Sequence, residues 1–442
     1  MKKSLKKILC ALCCLALVLA LSGCSLPTTD TDSLLKPPRA SGELYHIQKA
    51  LEASVKEKFT LKFPTSGEWR SAIIERDLDS DGTNEAIAFY STVTDNVVSM
   101  HINLIDQKDG KYYSASDIKC VATGVESVDF RDMDADGNFE VLVGWSVYGA
   151  LDKQLGVYSF SEGLLKQRLM EKYSSYICLD FTGNGRNDIF VNHLDTISTT
   201  ATAKLLSFAD GGVTEQGVCI LDGSVTSHAT PIVGKLPNGN TAVYIDAIKG
   251  NGMITEILEI SADETSGLLH NVLQANGNSI STYRSSAVSV RDNDGDKVYE
   301  IPMPELLTIS NVAGGENVYK TRWYVYDSGD LRLQMSTLMN YTDGYYITLP
   351  LKWEDAVSVI RDTANRVRTI AAIDKQIGNS LHIILRVQAV PVTAVPSFEG
   401  YDKAKAFEVG RNDGYYYVAQ LTDYQGPEAV TAAEFKSLFK LF

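Results

Sequence analysis

Asp77-Leu78-Asp79-Ser80-Asp81-Gly82-Thr83-Asn84-Glu85, followed at once by the apolar run Ala86-Ile87-Ala88-Phe89-Tyr90, is the stretch on which the fold turns. The register returns at Asp132-Met133-Asp134-Ala135-Asp136-Gly137-Asn138-Phe139-Glu140, before Val141-Leu142-Val143. It returns again at Asp180-Phe181-Thr182-Gly183-Asn184-Gly185-Arg186-Asn187-Asp188 and at Asp292-Asn293-Asp294-Gly295-Asp296-Lys297-Val298-Tyr299-Glu300. A worn copy, Gly234 to Ala242, keeps Asn238-Gly239 but none of the acids. One Asp-Gly turn is common. Five copies starting at 77, 132, 180, 234 and 292 are an internal repeat of roughly fifty residues.

Oxygen donors at positions 1, 3, 5 and 9 of a tight loop suit a hard cation. Calcium accepts six to eight oxygens in flexible geometry, so it fits better than octahedral magnesium or nitrogen-seeking zinc. The expected ligands are Asp77, Asp79, Asp81 and Glu85, then Asp132, Asp134, Asp136 and Glu140. The third set is Asp180, Asn184 and Asp188, with less charge, and the fourth Asp292, Asp294, Asp296 and Glu300, with Lys297 where the other loops carry glycine. The worn copy is expected to hold no ion. An EF-hand is excluded, because its bidentate acid stands at position 12, here Ala88, Val143, Val191 or Met303. The lead-ins Ser71–Glu75 and Ser285–Val290 also read as strand rather than helix.

These loops resemble the FG-GAP and VCBS-type repeats of β-propellers, including the calcium loops of integrin α-chain heads. The resemblance spans roughly residues 65–340 and rests on the Asp-x-Asp-x-Asp-Gly-x-x-Glu core; the Phe-Gly and Gly-Ala-Pro signatures of the integrin version are not evident. It implies a mainly β chain built on a calcium-stapled propeller.

Each unit offers four strands. After Glu85 these are Ala86–Ser91, Ser99–Ile105, Tyr112–Cys120 beyond a Lys108-Asp109-Gly110 turn, and Glu126–Phe130. The last unit shows three, Glu300–Pro304, Thr321–Tyr326 and Leu331–Leu338, and Trp69–Glu75 is expected to supply its fourth, closing five blades. Six or seven follow if the C-terminal segment contributes. Residues 343–442 read as a small α+β domain, with strands at Tyr346–Trp353, Ala356–Ile360, Val367–Ile373, Ser380–Val390 and Tyr415–Leu421. Thr431 and Glu434 form a capping-box pattern before a terminal helix, whose apolar stripe is Phe435, Leu438, Phe439 and Phe442. This tail is similar to C-terminal modules of Firmicutes surface lipoproteins, a resemblance that implies no activity.

Four lysines in Met1–Lys7, the apolar run Ile8–Leu21 and Leu21-Ser22-Gly23-Cys24 make residues 1–23 a secretory signal. It resembles a bacterial lipoprotein signal, which implies that Cys24 is lipidated and that the chain sits extracytoplasmically on the outer face of the cell membrane. Residues 24–40 read as a polar tether and 41–60 as an amphipathic helix capped by Ser41, with Leu44, Ile47, Leu51 and Val55 on one face. Cys120, Cys178 and Cys219 are odd in number and far apart, so they read as buried apolar residues rather than a disulfide framework.

The net charge of −14, with no basic run, excludes nucleic acid as a partner. Cleavage at Cys24 removes only lysines, and the mature charge is then −18. The six histidines are scattered, with no zinc pair, nucleophile elbow or phosphate loop. Two functions follow as expectations. The first is a non-enzymatic lipoprotein whose calcium-loaded propeller binds a protein or glycan at the cell surface. The alternative is an envelope polysaccharide hydrolase or lyase with its site in the propeller funnel. Tyrosine pairs at Tyr112-Tyr113, Tyr345-Tyr346 and Tyr415-Tyr416-Tyr417 are alternating strand residues first and ligand platforms second.

Overall fold

A computed structural model describes residues 42–94, 97–147, 153–209, 212–261, 268–277, 280–307, 318–377 and 380–442. The signal, the tether, Cys24 and the Ser41 cap lie outside the described residues. The chain is mainly β, in six antiparallel sheets among the described residues. Sheet I holds Phe59–Leu61, Ile73–Arg76, Glu85–Thr94, Val97–Lys108 and Lys111–Cys120. Sheet II holds Gly124–Arg131, Glu140–Ser146, Lys153–Ser161 and Leu164–Tyr173; sheet III holds Ser175–Leu179, Asp188–Asp195, Thr200–Ala209 and Gly212–Leu221. Sheet IV runs from Ser227–His228 through Ile232–Lys235, Thr241–Lys249 and Gly252–Ile260 to Leu269–Asn271. Sheet V holds Ile301–Leu306, Tyr319–Asp327, Asp330–Asn340, Tyr345–Thr348 and, from the far end of the chain, Phe439–Leu441. Sheet VI holds Val357–Asp362, Val367–Asp374, Ser380–Pro391, Ala406–Arg411 and Tyr415–Leu421.

The apolar runs after the loops become strands buried on both faces. Ala86 to Tyr90 are all buried, as are Val141 to Val143. Strands further out alternate, as Lys111–Cys120 does, because one face meets water. Two-residue turns with positive φ at both positions return in three sheets: Asp109-Gly110, Glu162-Gly163 and Ser328-Gly329. Their backbone twist matches that of the flanking strands.

Packing divides the chain into two units, one ending at Ser127 and including Phe160–Lys166, the other Val128–Ser159 with Gln167–Phe442. In the first unit α1 (Glu43–Ser54) lays Ile47 and Leu51 on Ala86, Ala88, Tyr90 and Ile105 of sheet I. Of the rest of the predicted stripe, Val55 packs against the same core just past the helix end and Leu44 is 40% exposed. In the second unit successive sheets share cores. Leu142 and Val157 meet Ile189 and Val191; Phe190 and Leu205 meet Val243 and Leu258; Tyr244 and Ile257 meet Ile301.

Three sequence expectations are corrected. The acidic loops at 77, 132 and 180 each join two neighbouring strands of one sheet, so the unit begins one strand earlier than the sequence suggested. Residues from Trp69–Glu75 therefore enter sheet I, where Ile73–Arg76 pairs with Glu85–Ala88; they do not complete the last unit. That unit takes Tyr345–Thr348 as its further strand and Phe439–Leu441 beyond it. Ser285–Val290 forms no strand, and the lead-in to the fourth loop is reduced to a bridge between Arg291 and Glu300.

The break at 340–343 is not a packing boundary either. Leu338 and Tyr345 of sheet V share one core with Val357, Ile370, Leu385 and Tyr417 of sheet VI and with Phe435 and Phe439. Tyr346–Trp353 ends its strand at Thr348, before a single 3-10 turn at Leu351–Trp353. The terminal helix α2 (Ala432–Leu438) has its capping box, with Glu434 N–H donating to Thr431 Oγ1 and Thr431 N–H to Glu434 Oε2. The helix then stops. Phe439 turns into strand because it pairs with Ile347.

Candidate functional site

The four acidic loops share one hydrogen-bond scheme. The N–H at position 6 donates to Oδ2 of the position-1 aspartate: Gly82 to Asp77 and Gly137 to Asp132 at 3.1 Å, Gly185 to Asp180 at 2.8 Å, Lys297 to Asp292 at 3.0 Å. The position-5 side chain accepts from N–H 7, with Asp81, Asp136, Asn184 and Asp296 at 2.7–2.8 Å. The position-9 acid turns inward and accepts from N–H 2: Glu85 from Leu78 at 2.8 Å, Glu140 from Met133 at 3.0 Å, Asp188 from Phe181 at 3.2 Å, Glu300 from Asn293 at 3.0 Å. All four position-9 acids are buried. They clamp the loop to its sheet as well as facing its interior.

The backbone explains the residue types. Position 6 is left-handed throughout, with φ of 90° at Gly82, 91° at Gly137, 83° at Gly185 and 70° at Lys297. Lysine therefore occupies the glycine conformation, at a cost of about 1 kcal/mol. Position 4 is left-handed too, with φ of 60° at Ser80 and Ala135. The worn copy has Pro237 there, whose ring holds φ near −65°. At its position 1 a Cβ on Gly234 would come within 2.6 Å of the Lys297 carbonyl oxygen, so an aspartate has no room. It keeps only the turn from Asn240 N–H to Asn238 Oδ1, at 2.9 Å.

Carboxylate oxygens converge in three loops, with one oxygen of each residue within 4.8 Å of the others: Asp77, Asp79 and Glu85; Asp132, Asp134 and Asp136; Asp292, Asp294 and Asp296. Asp81, Glu140 and Glu300 stand outside these groups, and Asp81 Oδ1 accepts from Thr83 N–H and Oγ1. In the loops at 77 and 132, Oδ1 of Asp77, Asp132 and Asp134 is buried with no hydrogen-bond donor. Buried carboxylate oxygens without donors are costly, and a bound cation would supply what they lack. The donors are all oxygens and fit calcium on that observation.

The other loops differ. Asp180 Oδ1 accepts from Gly183 and Asn184 N–H at 2.7 and 3.1 Å, and Asp292 Oδ1 accepts from Gly295 N–H at 2.6 Å. Asp188 receives Phe181 N–H, Thr182 Oγ1 and Ser207 Oγ. The loop at 180 thus meets much of its own demand.

Electrostatics follow the burial. Loss of water pushes Glu85, Glu140 and Glu300 up to about 7; the backbone N–H each accepts opposes this, and neighbouring aspartates add to it. Asp79, Asp134 and Asp294 are raised, first by burial and then by the acids beside them. Thr83, donating from side chain and backbone, holds exposed Asp81 low.

Sequence reasoning missed a polar cleft on sheet I. Lys56 and Glu57, past the end of α1, wall a space of about 490 Å³ over Tyr90, His101, Asn103 and Asp117. Cross-strand register makes it, placing Tyr90 opposite His101 and Asn103 opposite Asp117. Asp117 Oδ2 lies 3.0 Å from His101 Nδ1, Thr92 Oγ1 lies 3.1 Å from His101 Nε2, and Tyr90 O–H donates to Asp117 Oδ1 at 2.8 Å. The Tyr90 and His101 rings stack at 4.6 Å. The only signal was the period-2 spacing of His101 and Asn103, and of Asp117 and Lys119, on neighbouring strands.

Of the tyrosine clusters, Tyr345, Tyr346 and Tyr417 are buried, Tyr112, Tyr415 and Tyr416 are half-buried and Tyr113 is exposed. Tyr345 and Tyr417 are fully buried and meet edge to face at 5.5 Å. Cys178 and Cys219 are half-buried thiols that burial pushes up to about 12.

No family model matches the chain, and no curated protein matches it. Solved structures similar to it include a rhamnogalacturonan lyase from Bacillus licheniformis, 10% identical, TM-score 0.28, covering 62% of this chain and 68% of that one. A protein from Lactobacillus plantarum is 12% identical, with TM-score 0.27, over 75% and 95% of the two chains. An α-L-arabinanase from Penicillium chrysogenum, in complex with arabinobiose, is 12% identical, with TM-score 0.25, over 73% and 95%. At these TM-scores the function of this chain has to be read from its own residues.

Proposed function

We propose that the chain is an extracytoplasmic lipoprotein, held to the membrane through Cys24, whose sheets form a calcium-stapled propeller of the FG-GAP/VCBS type that binds a protein or glycan. The observation that carries the metal is the buried, donorless Oδ1 of Asp77 and Asp132 in otherwise fully turned loops. The repeat of one hydrogen-bond scheme and the sequential sharing of cores support the propeller. Calcium binds the native loops and not the unfolded chain, so its work is to stabilise.

The test is calorimetric melting of the mature chain in chelator and in millimolar calcium. At a concentration 100-fold above Kd, each site adds about 2.7 kcal/mol. Asp77→Asn and Asp132→Asn should each remove much of the calcium-dependent rise, and Asp180→Asn little. Equal melting temperatures in chelator and calcium would end the metal reading. Ligand binding that persists after full calcium removal and after unfolding of the loops would end the propeller's part in it.

One observation favours the enzyme as a second reading. His101, oriented by Asp117 at 3.0 Å and opening on a polar cleft, has the arrangement of a general base. Cleavage of an envelope polysaccharide that His101→Asn abolishes, with melting unchanged, would establish it. Cleavage untouched by that substitution would remove the cleft from the chemistry.

A further inference from the structure

The cleft on sheet I holds more than a positioned base. Thr92 follows Tyr90 by two residues, so both side chains stand on one face of the strand Glu85–Thr94. Register pairs Tyr90 with His101 and Thr92 with Ser99, which makes Thr92 and His101 diagonal neighbours. Thr92 Oγ1 lies 3.1 Å from His101 Nε2, and His101 Nδ1 lies 3.0 Å from Asp117 Oδ2. Hydroxyl, imidazole and carboxylate thus form one chain of hydrogen bonds. Thr92 is buried, yet it lines the cleft together with His101 and Asp117.

The direction of that chain follows from its far end. Asp117 Oδ1 accepts Tyr90 O–H at 2.8 Å and Asn103 Nδ2 at 3.3 Å, so the carboxylate acts as an acceptor throughout. The neutral imidazole then carries its proton on Nδ1 and has only a lone pair at Nε2. Thr92 is therefore the donor, its O–H aimed at a base that is itself oriented. The Tyr90 ring stacks on the imidazole at 4.6 Å and 10°, which holds the ring in line. This is the nucleophile–base–orienter geometry of acyl transfer, which is recognised by roles and not by chain order. Lys119 stands opposite His101 and lines the same cleft. Its ammonium places positive charge where an attacked carbonyl would develop an oxyanion.

We propose that the cleft is an esterase site for a short acyl group carried on a sugar hydroxyl, with Thr92 as nucleophile and His101, held in line by Asp117, as general base. The proposal rests on the enzyme reading of this cleft and adds an ester bond to what His101 can help to cleave. In the first half, Thr92 Oγ1 attacks the carbonyl carbon and its proton passes to His101 Nε2. That proton leaves with the sugar alcohol as the ester C–O bond breaks, and an acyl-threonine remains. In the second half, water gives a proton to Nε2 while its oxygen attacks the acyl carbon. Thr92 takes the proton back as the carboxylic acid departs. Among the lining residues described, Val55 is the only aliphatic one, and Ser54, Thr94 and Ser114 add hydroxyls. Such walls suit an acetylated sugar and not a long acyl chain.

The experiment assays the mature chain on glucose acetylated at its primary hydroxyl, with p-nitrophenyl palmitate as the long-chain counterpart. Release of acetate from the first is expected, with little hydrolysis of the second. Thr92→Val, which keeps the side-chain shape, and His101→Asn should each lower acetate release by at least about 100-fold. Thr92→Ser should retain it, because the hydroxyl remains. Asp117→Asn should lower kcat and leave KM in place, since an amide favours the other imidazole tautomer; an effect on KM alone would overturn its part in the chain. A fluorophosphonate should label the wild type on Thr92, located by peptide mass spectrometry, a readout that needs no variant to fold. Absence of acetate release overturns the proposal, and so does a wild type whose Thr92 takes no label. Release lost in His101→Asn but kept in Thr92→Val also overturns it, while the general-base reading of the cleft stands. Release kept in both removes the cleft from ester chemistry.

Discussion

Among single residues, position 4 of the acidic loops separates the candidates. Gly183 and Gly295 stand there in two loops, and in each the N–H reaches Oδ1 of the first aspartate. Ser80 and Ala135 stand there in the other two, where that oxygen has no donor. Loops that read alike in their acids therefore differ in what they leave for a cation. His228 is a second case. Asn192 Oδ1 accepts from Ser175 Oγ, so its amide nitrogen faces His228 Nδ1, at 3.0 Å, and His228 Nε2 is buried without a partner. Burial lowers the imidazole from 6.5 to about 4, against a smaller pull from Asp222. A depressed histidine leaves the unfolded chain binding the extra proton. Stability is then complete above about 6.5 and falls as pH drops toward 4, by roughly 2–3 kcal/mol. His228→Asn should flatten that part of the pH profile of melting, compared with the wild type in the same buffers. A parallel fall in both proteins would assign the acid sensitivity elsewhere.

At the scale of the element, the sequence was legible wherever the signal is local. The strands at 85–94, 97–108 and 111–120 were anticipated because apolar runs and Asp-Gly turns act within a few residues. The capping box of α2 was equally plain, since Thr431 and Glu434 are three apart. Thr431→Ala should cost about 1 kcal/mol, read as a lower melting temperature, because it orphans the Glu434 N–H. An unchanged melt would mean that the packing of Phe435 and Phe439 alone holds the helix. The stop of α2 at Leu438 was not legible. Phe439 continues the helical stripe in sequence, and only its pairing with Ile347, ninety-odd residues away, makes it a strand. Likewise nothing local says which neighbour Ile73–Arg76 will pair with; the hairpin across the acidic loop decides it.

At the scale of the molecule, the tail and the last repeat unit are one packed body. Residues 343–442 complete sheet V with two strands and cover Leu307, Val318 and Leu338. A chain ending at residue 342 should lose cooperative unfolding and aggregate, because it exposes that core and a bare sheet edge. If it stays soluble and keeps a sharp, calcium-sensitive melt, the tail is a separate module after all. Composition gave no hint of this, since the loss of acidic repeats at 343 marks the end of a motif and not of a core.

By itself the sequence determined the β content, the four turning loops and the oxygen donors at their positions, because all of these arise within nine residues of chain. The tertiary structure decided which strand opens each sheet, why Gly234 cannot be an aspartate, and which loop oxygens stay unsatisfied. It alone brought His101 to Asp117 and to Thr92. Those outcomes depend on strand register and on close approach between distant segments, and residue spacing along the chain does not say which strands or segments will meet.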